Sequence, residues 1–219
     1  MVAPGERLPT EAELARRFGV HRNTIRRAIE RLRAKELVRV EHGSGTFVRE
    51  AAISYAVGIR TRLTTAVLVE TRAPARRVLA SAPVRADGRT AAALCVPVGS
   101  PLLRVEMLRL VDDKPVAIGT YFYPLPRFKG IARLIGELGS ITEALRRGGV
   151  NELVRKSLRV KASLPSQADA KALGVSRTKP VLELTSVSAD ERGVPVQISR
   201  SRIVSARIDL VFEFRDPTP

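Results

Sequence analysis

The chain has 219 residues, a formal net charge of +16 and 44% hydrophobic residues, so it can build a packed core and is not a disordered basic tail. Because no apolar run reaches about 18 residues and the amino-terminal stretch has no signal-like apolar segment, we expect no membrane span and a cytoplasmic location. A single cysteine and two histidines exclude an internal disulfide and a multi-histidine metal centre, while the positive charge favours an anionic partner, nucleic acid first.

The first fifty residues predict two short helices joined by a tight turn. Thr10 can cap the first helix, and Gly19 ends it. The apolar face of this helix holds Leu14, Ala15 and Phe18. The second helix runs from His21 or Arg22 to about Lys35, with one apolar stripe and an opposite basic face. The stripe is Ile25, Ala28, Ile29 and Leu32, and the basic face is Arg22, Asn23, Arg26, Arg27 and Arg33.

A hairpin is predicted directly after the second helix. Val38 and Val40 alternate with charged residues, His42-Gly43-Ser44-Gly45 reads as a turn, and Thr46-Phe47-Val48 returns as a strand. Two helices around a glycine turn, followed by a hairpin wing, predict a winged helix-turn-helix that reads a DNA major groove. The alternative is a solvated cationic helix in an ordinary bundle.

The stretch LPTEAELARRFGVHRNTIRRAIERLRAKELVRVEHGSGTFV closely resembles the winged-helix head of GntR-type bacterial transcription regulators. The matching pieces are the LPxE start, the xRxTxRxA pattern of the second helix and the terminal GxGTFV of the wing. The resemblance implies contacts to bases or phosphates from the second helix, further contacts from the wing, and contacts to the DNA backbone from two upstream residues. These residues are His21, Arg22, Asn23 and Arg26, then His42 and Gly43, and finally Arg7 and Thr10.

The head departs from this family pattern in two ways. Ala12 stands where many relatives place an arginine that touches DNA, so we expect one contact to be missing. The usual first helix of the head, which would precede Pro4, is absent, from which we expect a start assigned too late or a truncated fragment. A head without that helix would be marginally stable.

The remaining chain predicts an antiparallel sheet with packed helices. Residues 1–50 are assigned to the head, 51–60 to a linker and 61–219 to a second domain. Residues 90–122 and 168–202 form a faint repeat, each reading as a short helix, a Pro-led strand, an acidic turn and a second Pro-led strand. Further helices are predicted at 128–138 and 140–147, and strands at 154–163 and 208–214. The stretch from Leu164 is similar in sequence to the helix-turn-helix of the head, but Pro180 limits it to a short capped helix. Cys95 is expected to be a small buried apolar residue.

This second part resembles the UTRA ligand-binding domain of the HutC branch of GntR regulators, whose fold is like that of chorismate lyase. The resemblance is strongest in GSITEALRR, in PVLELTSVSADERGVPVQISRSR and in the stretch RTRLT. Among UTRA proteins, the nearest similarity is to regulators of phosphonate utilisation. The fold class is therefore expected to be α+β, with a winged helix-turn-helix before a UTRA domain.

A small anionic effector is the ligand that the second domain is expected to bind, without a metal or cofactor. Arg109 shares a strand face with Leu103, Val105 and Met107, and a buried arginine needs an anionic partner, either an internal carboxylate or a ligand. The resemblance favours the ligand. Thr61, Arg62 and Thr64 form a loop that suits phosphate oxygens or is simply polar. The other candidates are Tyr121, which is otherwise a core residue, Ser140, which is at least a helix cap, and Glu183, Ser199 and Ser201. Relatives often carry glutamate in place of Gly119 and a second arginine in place of Met107, which argues against a sugar phosphate.

The leading interpretation is a dimeric, ligand-responsive transcription regulator, most often a repressor, that binds a palindromic operator. The alternatives are an enzyme of chorismate lyase-like fold carrying a DNA-binding head, and a nucleoid protein indifferent to sequence. The candidate pocket has no histidine and no paired carboxylates, which disfavours the enzyme. Phosphate, sulfate, a phosphonate and a sugar phosphate all remain open as effectors.

Overall fold

The computed structural model describes residues 2, 5–35, 37–41, 43–49, 52–58 and 74–212. The chain divides into two compact units, Met1–Ala52 and Ile53–Pro219. No helix in these described ranges has the length and apolar character that crossing a membrane requires.

The first unit is a helix-turn-helix followed by a two-stranded antiparallel hairpin. Thr10 and Glu13 cap each other at the start of the first helix, and Gly19 ends it in the left-handed conformation with a φ of 63°. His21 caps the second helix by accepting a hydrogen bond from the Asn23 amide at 3.2 Å. The predicted helices and wing are therefore present. In chain order the elements are α1 (Glu11–Phe18), α2 (Arg22–Ala34), β1 (Val38–Glu41) and β2 (Gly45–Val48).

The core of the first unit is smaller than the sequence predicts. Ile25 and Ile29 of α2 are buried together with Val38 of β1, and Leu14 and Ala15 of α1 pack against them. Three residues predicted for the apolar faces, Phe18, Ala28 and Leu32, are exposed in this unit. Phe18, the last residue of α1, is 63% exposed, and Leu32, which lines a surface groove on α2 with Ala28, is 36% exposed.

The second unit is built on one six-stranded sheet with strand order β4-β5-β6-β9-β8-β7, and the sheet is antiparallel as predicted. A separate parallel pair, β3 with β10, completes it. In chain order its elements are β3 (Ile53–Ala56), β4 (Pro74–Arg85), α3 (Gly88–Leu94), β5 (Pro101–Val111), β6 (Lys114–Pro124), α4 (Ile131–Leu138), α5 (Ile141–Arg147), β7 (Val154–Ser163), α6 (Gln167–Leu173), β8 (Val181–Ala189), β9 (Pro195–Val204) and β10 (Ile208–Val211).

The predicted repeat explains the symmetry of this sheet. Each repeat contributes one helix and one hairpin, and the central strands β6 and β9 join the two hairpins. The helices cross over: α3 packs on β9 and α6 packs on β6, both against the same face. Helices α4 and α5 cover part of the opposite face, where Met107, Tyr121 and Tyr123 are buried beneath them.

Three sequence predictions need correction in this unit. Residues 53–56, assigned to a linker, form β3, because a ladder with residues 208–211 holds them. Residues 74–85 form a long strand that was not predicted, since its two prolines disguise an edge strand. Cys95 is exposed rather than buried, because it follows the last turn of α3 in the left-handed conformation.

Candidate functional site

The first candidate surface is the amino-terminal half of α2. Arg22, Asn23 and Arg26 are all exposed there, while Ile25 turns into the core. Glu11 of α1 holds Arg26 through a forked contact, with Arg26 Nη2 donating to Oε2 at 2.9 Å and Nε donating to Oε1 at 3.2 Å. The hydrogen bond from Arg26 lowers the pKa of Glu11, so this carboxylate stays charged. The fork orients an arginine that would otherwise be a flexible exposed side chain.

Two other predicted DNA contacts have structural duties within the head. The Thr10 hydroxyl contacts both the Glu13 carboxylate and the Glu13 amide, at 2.8 and 3.3 Å. His21 uses Nδ1 to cap α2, which leaves its Nε2 side toward solvent. Both residues therefore position the helix termini, whatever they touch on DNA.

Arg7 and Gly43 both belong to the wing region. Arg7 pairs with Phe47 as an isolated bridge, and its side chain runs across Gly45 so closely that a Cβ there would lie 2.6 Å from Arg7 Nε. Gly43 is exposed in the turn with a φ of 75°, a conformation that favours glycine. His42 lies outside the described residues.

The second candidate site is a cavity of about 50 Å³ on the face of the large sheet that also carries α4 and α5. Strand alternation brings its polar floor together, since Ser186 and Ser188 of β8 pair with Ser199 and Gln197 of β9. The side-chain oxygen of the buried Gln197 has no hydrogen-bond partner among the described residues. The lining consists of Tyr55, Arg76, Arg109, Ile141, Arg155, Leu158, Leu184, Ser186, Ser188, Gln197, Ser199, Ser201 and Ile203.

Three arginines make this cavity cationic. Arg76 of β4 and Arg109 of β5 stand directly opposite each other in the sheet, and like charges so placed repel. Arg76 also donates to the Gly139 carbonyl at 2.8 Å, beside the start of α5. Arg155 enters from β7. None of the described lining residues is aspartate or glutamate, so the positive charge of the lining has no carboxylate within it.

Tyr121 reaches Arg109 across the space that Gly119 leaves open. A Cβ on Gly119 would lie 2.7 Å from the Tyr121 ring and 3.0 Å from its hydroxyl, so glycine is required for this arrangement. The Tyr121 hydroxyl contacts the Arg109 guanidinium. Burial alone would raise the pKa of Tyr121, but the charges of Arg109 and Arg76, with a hydrogen bond from Ser201, bring it below the ordinary value.

Family models match both units of the chain. Residues 70–209 match the UTRA domain, and residues 1–48 match the bacterial regulatory proteins of the gntR family. The chain belongs to the GntR family and carries a UTRA domain. It is therefore a DNA-binding transcription regulator, and the family assignment made from the sequence is confirmed.

Individual relatives of this GntR regulator span nearly its whole length. It is 35% identical to the HTH-type transcriptional regulator RB1450 of Rhizobium meliloti, over 94% of this chain and 85% of the relative. It is 28% identical to the HTH-type transcriptional repressor PhnF of Mycolicibacterium smegmatis, over 90% of this chain and 80% of that one. The crystal structure of PhnF from Mycobacterium smegmatis matches with a TM-score of 0.72 at 25% identity, covering 99% of this chain and 95% of that chain.

The UTRA domain brings several of the predicted effector residues together. Arg109, Ser199 and Ser201 line the cavity, and the hydroxyl of Tyr121 contacts Arg109. Ser140 is the cap of α5, accepting from the Glu143 amide at 3.2 Å, one residue before the lining residue Ile141.

Glu183, another predicted effector residue, does not line the cavity. Its neighbour Leu184 faces the cavity, and successive strand residues face opposite sides of a sheet. On that other side Glu183 accepts from Ser163 at 2.6 Å and pairs with Lys161 at 3.0 Å. Thr61, Arg62 and Thr64 lie outside the described residues.

Sequence reasoning identified three of the nine polar residues in the described lining of the UTRA cavity and missed the other six. The signal for the serines was available, because SxS in β8 and QxSxS in β9 put small polar groups at every second position of adjacent strands. Arg155 lay in a predicted strand without a predicted role. Arg76 was missed with its strand β4, and Tyr55 was missed because its segment was taken as a linker.

Proposed function

We propose that this regulator is a repressor that binds a palindromic operator as a dimer and leaves it when a small anionic metabolite occupies the UTRA cavity. The name of the relative PhnF, a transcriptional repressor, supports the direction of the response. Two heads related by a two-fold axis would read the two halves of a palindrome. The relatives are named as regulators or repressors, and the proposal assigns the cavity to binding rather than to catalysis.

DNA reading in this proposal depends on Arg22, Asn23 and Arg26 at the exposed start of α2. An arginine can bond guanine with both arms of its guanidinium, and an asparagine can pair with adenine. The contact with Glu11 supports Arg26 in this role, because a fixed guanidinium loses less side-chain entropy on binding than a free one.

Replacing Arg26 tests the head. We expect Arg26→Ala to weaken specific binding by about 1–3 kcal/mol per half-site, because one base contact is lost. The DNA would be selected from a random pool by the unaltered protein, and affinities would be measured by fluorescence anisotropy at one salt concentration.

Arg33→Ala is the matched control, since it removes the same charge from the far end of α2. Equal losses in the two variants would mean that α2 attracts DNA by charge alone and reads no bases. Unchanged affinity in Arg26→Ala would remove Arg26 from the interface.

The anionic effector rests on one observation, the facing pair Arg76 and Arg109 with Arg155 in a cavity whose described lining holds no carboxylate. An anion between these guanidiniums would relieve their repulsion and accept charge-assisted hydrogen bonds. The cavity volume of about 50 Å³ exceeds the ~10–15 Å³ that one water needs and suits a phosphate- or phosphonate-sized group better than a sugar phosphate.

Replacing Arg109 tests the effector site. We expect inorganic phosphate, sulfate or methylphosphonate to raise the melting temperature of the unaltered protein, because a ligand that binds the folded state stabilises it. Arg109→Met should abolish this rise. Arg104→Met is the control, since Arg104 lies on the same strand and pairs with Glu106 instead of lining the cavity. If none of the three anions shifts the melting temperature, or if Arg109→Met retains the shift, the effector proposal is wrong.

A further inference from the structure

Arg155 joins the cavity to the segment that follows the head in the chain. Its Nη2 donates to the Tyr55 hydroxyl at 2.7 Å, and its Nη1 donates to the Gly58 carbonyl, also at 2.7 Å. Both Arg155 and Tyr55 line the cavity. One guanidinium therefore holds residues 55 and 58 while it remains within reach of a ligand.

The held segment is the first part of the second unit. The first unit ends at Ala52, and β3 begins one residue later. Backbone hydrogen bonds attach this segment at both ends to β10 and the residue before it, from the Ile53 amide to the Arg207 carbonyl at 2.8 Å and from the Val57 amide to the Val211 carbonyl at 2.7 Å. A two-stranded ladder is only marginally stable without other support. The contacts from Arg155, with the packing of Tyr55 among buried side chains, supply such support.

The chemistry of these two acceptors makes their hydrogen bonds with Arg155 replaceable. A phenol hydroxyl and a peptide carbonyl are both uncharged, whereas a hydrogen bond from a guanidinium to an anion is roughly twice as strong. An anion in the cavity would therefore compete with Tyr55 and Gly58 for the same N–H groups. Because the anion binds the guanidinium more strongly than these acceptors do, its binding weakens the contacts of Arg155 with Tyr55 and Gly58.

We propose that Arg155, Tyr55 and Gly58 form a latch that the effector opens. Without effector, Arg155 holds the segment 53–58 in place. With an anion in the cavity, Arg155 turns to the ligand and releases the segment that leads directly to the head. This inference rests on the proposed function, since it takes the effector to be an anion that binds in this cavity.

Linkage makes the latch measurable from both ends, because coupling between two sites is reciprocal. Removing the Tyr55 hydroxyl should leave Arg155 more available to the anion. Tyr55→Phe should therefore bind inorganic phosphate more tightly, by about tenfold for one hydrogen bond to a charged group. A purely structural defect would weaken binding, so a gain in affinity distinguishes the latch from damage to the fold.

Hydrogen exchange of the full chain tests the latch without any ligand. We expect Arg155→Met to speed exchange of the Ile53 and Val57 amides about tenfold, because one support of the β3 ladder is lost. Arg159→Met is the control, since Arg159 is exposed on the same strand and does not line the cavity. Arg155→Lys, which keeps the charge, should recover part of the protection. Unchanged exchange in Arg155→Met overturns the latch, whether or not phosphate binds.

Calorimetry and exchange with inorganic phosphate separate the latch from the proposed function. Phosphate binding to the unaltered chain, with faster exchange at Ile53 and Val57 and tighter binding by Tyr55→Phe, supports both. Phosphate binding without these two effects overturns the latch and leaves the anionic effector intact. If phosphate does not bind the unaltered chain, the effector opening of the latch is overturned together with the phosphate site.

Discussion

Cys95 occupies a backbone position that suits glycine. It follows α3 with a φ of 54°, in the left-handed region that costs a residue with a side chain about 1–2 kcal/mol. The internal repeat places Gly174 at the corresponding position after α6, with a φ of 63°. The same turn is therefore made with strain in one repeat and without it in the other.

Exchanging the residue types at these two positions should change stability in opposite directions. We expect Cys95→Gly to raise the free energy of unfolding by about 1 kcal/mol, because glycine relieves the strain of the left-handed backbone. Gly174→Ala should lower it by a similar amount, because alanine introduces that strain. Urea denaturation of both variants beside the unaltered chain measures this. A loss of stability in Cys95→Gly would mean that the thiol makes a contact worth more than the strain.

The hairpin of β8 and β9 shows how one carboxylate fixes an element. Asp190 lies in the turn, where its Oδ1 accepts from the amides of Arg192 and Val194 at 3.2 and 3.0 Å and its Oδ2 accepts from Arg127 at 2.9 Å. Burial alone would raise the pKa of Asp190, but the hydrogen bonds from Arg127 and the two amides outweigh it and lower the pKa. The charged form is therefore the one that stabilises the hairpin.

Removing this charge should destabilise the unit in a pH-dependent way. We expect Asp190→Asn to cost about 1–3 kcal/mol near neutral pH, because the amide cannot accept from Arg127 as the carboxylate does. The folded-state pKa is depressed, so the contribution is present above the ordinary pKa of about 3.9 and is lost as the pH falls through the folded value. The two proteins should therefore converge in stability in acid.

Asp113→Asn is the control for this comparison, since Asp113 is exposed in the corresponding turn of the first repeat. Urea denaturation near neutral pH and in acid gives the two differences. A gap between Asp190→Asn and the unaltered chain that stays constant with pH would contradict the assigned role of the charge.

The edge strand β4 was the element of the large sheet that the sequence described least well. Pro74 and Pro83 lack amide hydrogens, and such residues argue against a central strand, so β4 went unpredicted although it pairs with β5 along its length. At the edge of a sheet one side of a strand needs no partner, and prolines are tolerated there. Helices with clear caps were easier to predict, as the ends of α1, α2 and α6 show.

At the scale of the whole molecule, local patterns predicted most of the elements and the repeat predicted an antiparallel sheet. The cross-packing of α3 on β9 and α6 on β6 was beyond this reasoning, because it depends on which strands become neighbours rather than on spacing. The pairing of β3 with β10 joins residues about 150 positions apart. No short-range signal marks such a contact.

The distribution of positive charge was the other property that could be understood only from the whole structure. The first fifty residues carry a net +4 of the total +16, so most of the excess lies beyond the head. Part of that excess positive charge belongs to the three arginines that line the cavity. Sequence analysis identified Arg109 because apolar neighbours flank it on its strand. It missed Arg76 and Arg155 because the residues that they face or contact, Arg109 and Tyr55, are far from them in the sequence.

The ladder between β3 and β10 ties the front of the second unit to its rear. A stop codon just ahead of Ile208 would leave all six strands of the large sheet encoded and would remove the strand on which residues 53–56 rest, together with the residues that follow it. The shortened polypeptide would retain most of its bulk while losing the anchor of the stretch next to the head. Loss of residues 208–211 would thus act at residues 53–56, where the second unit follows the head.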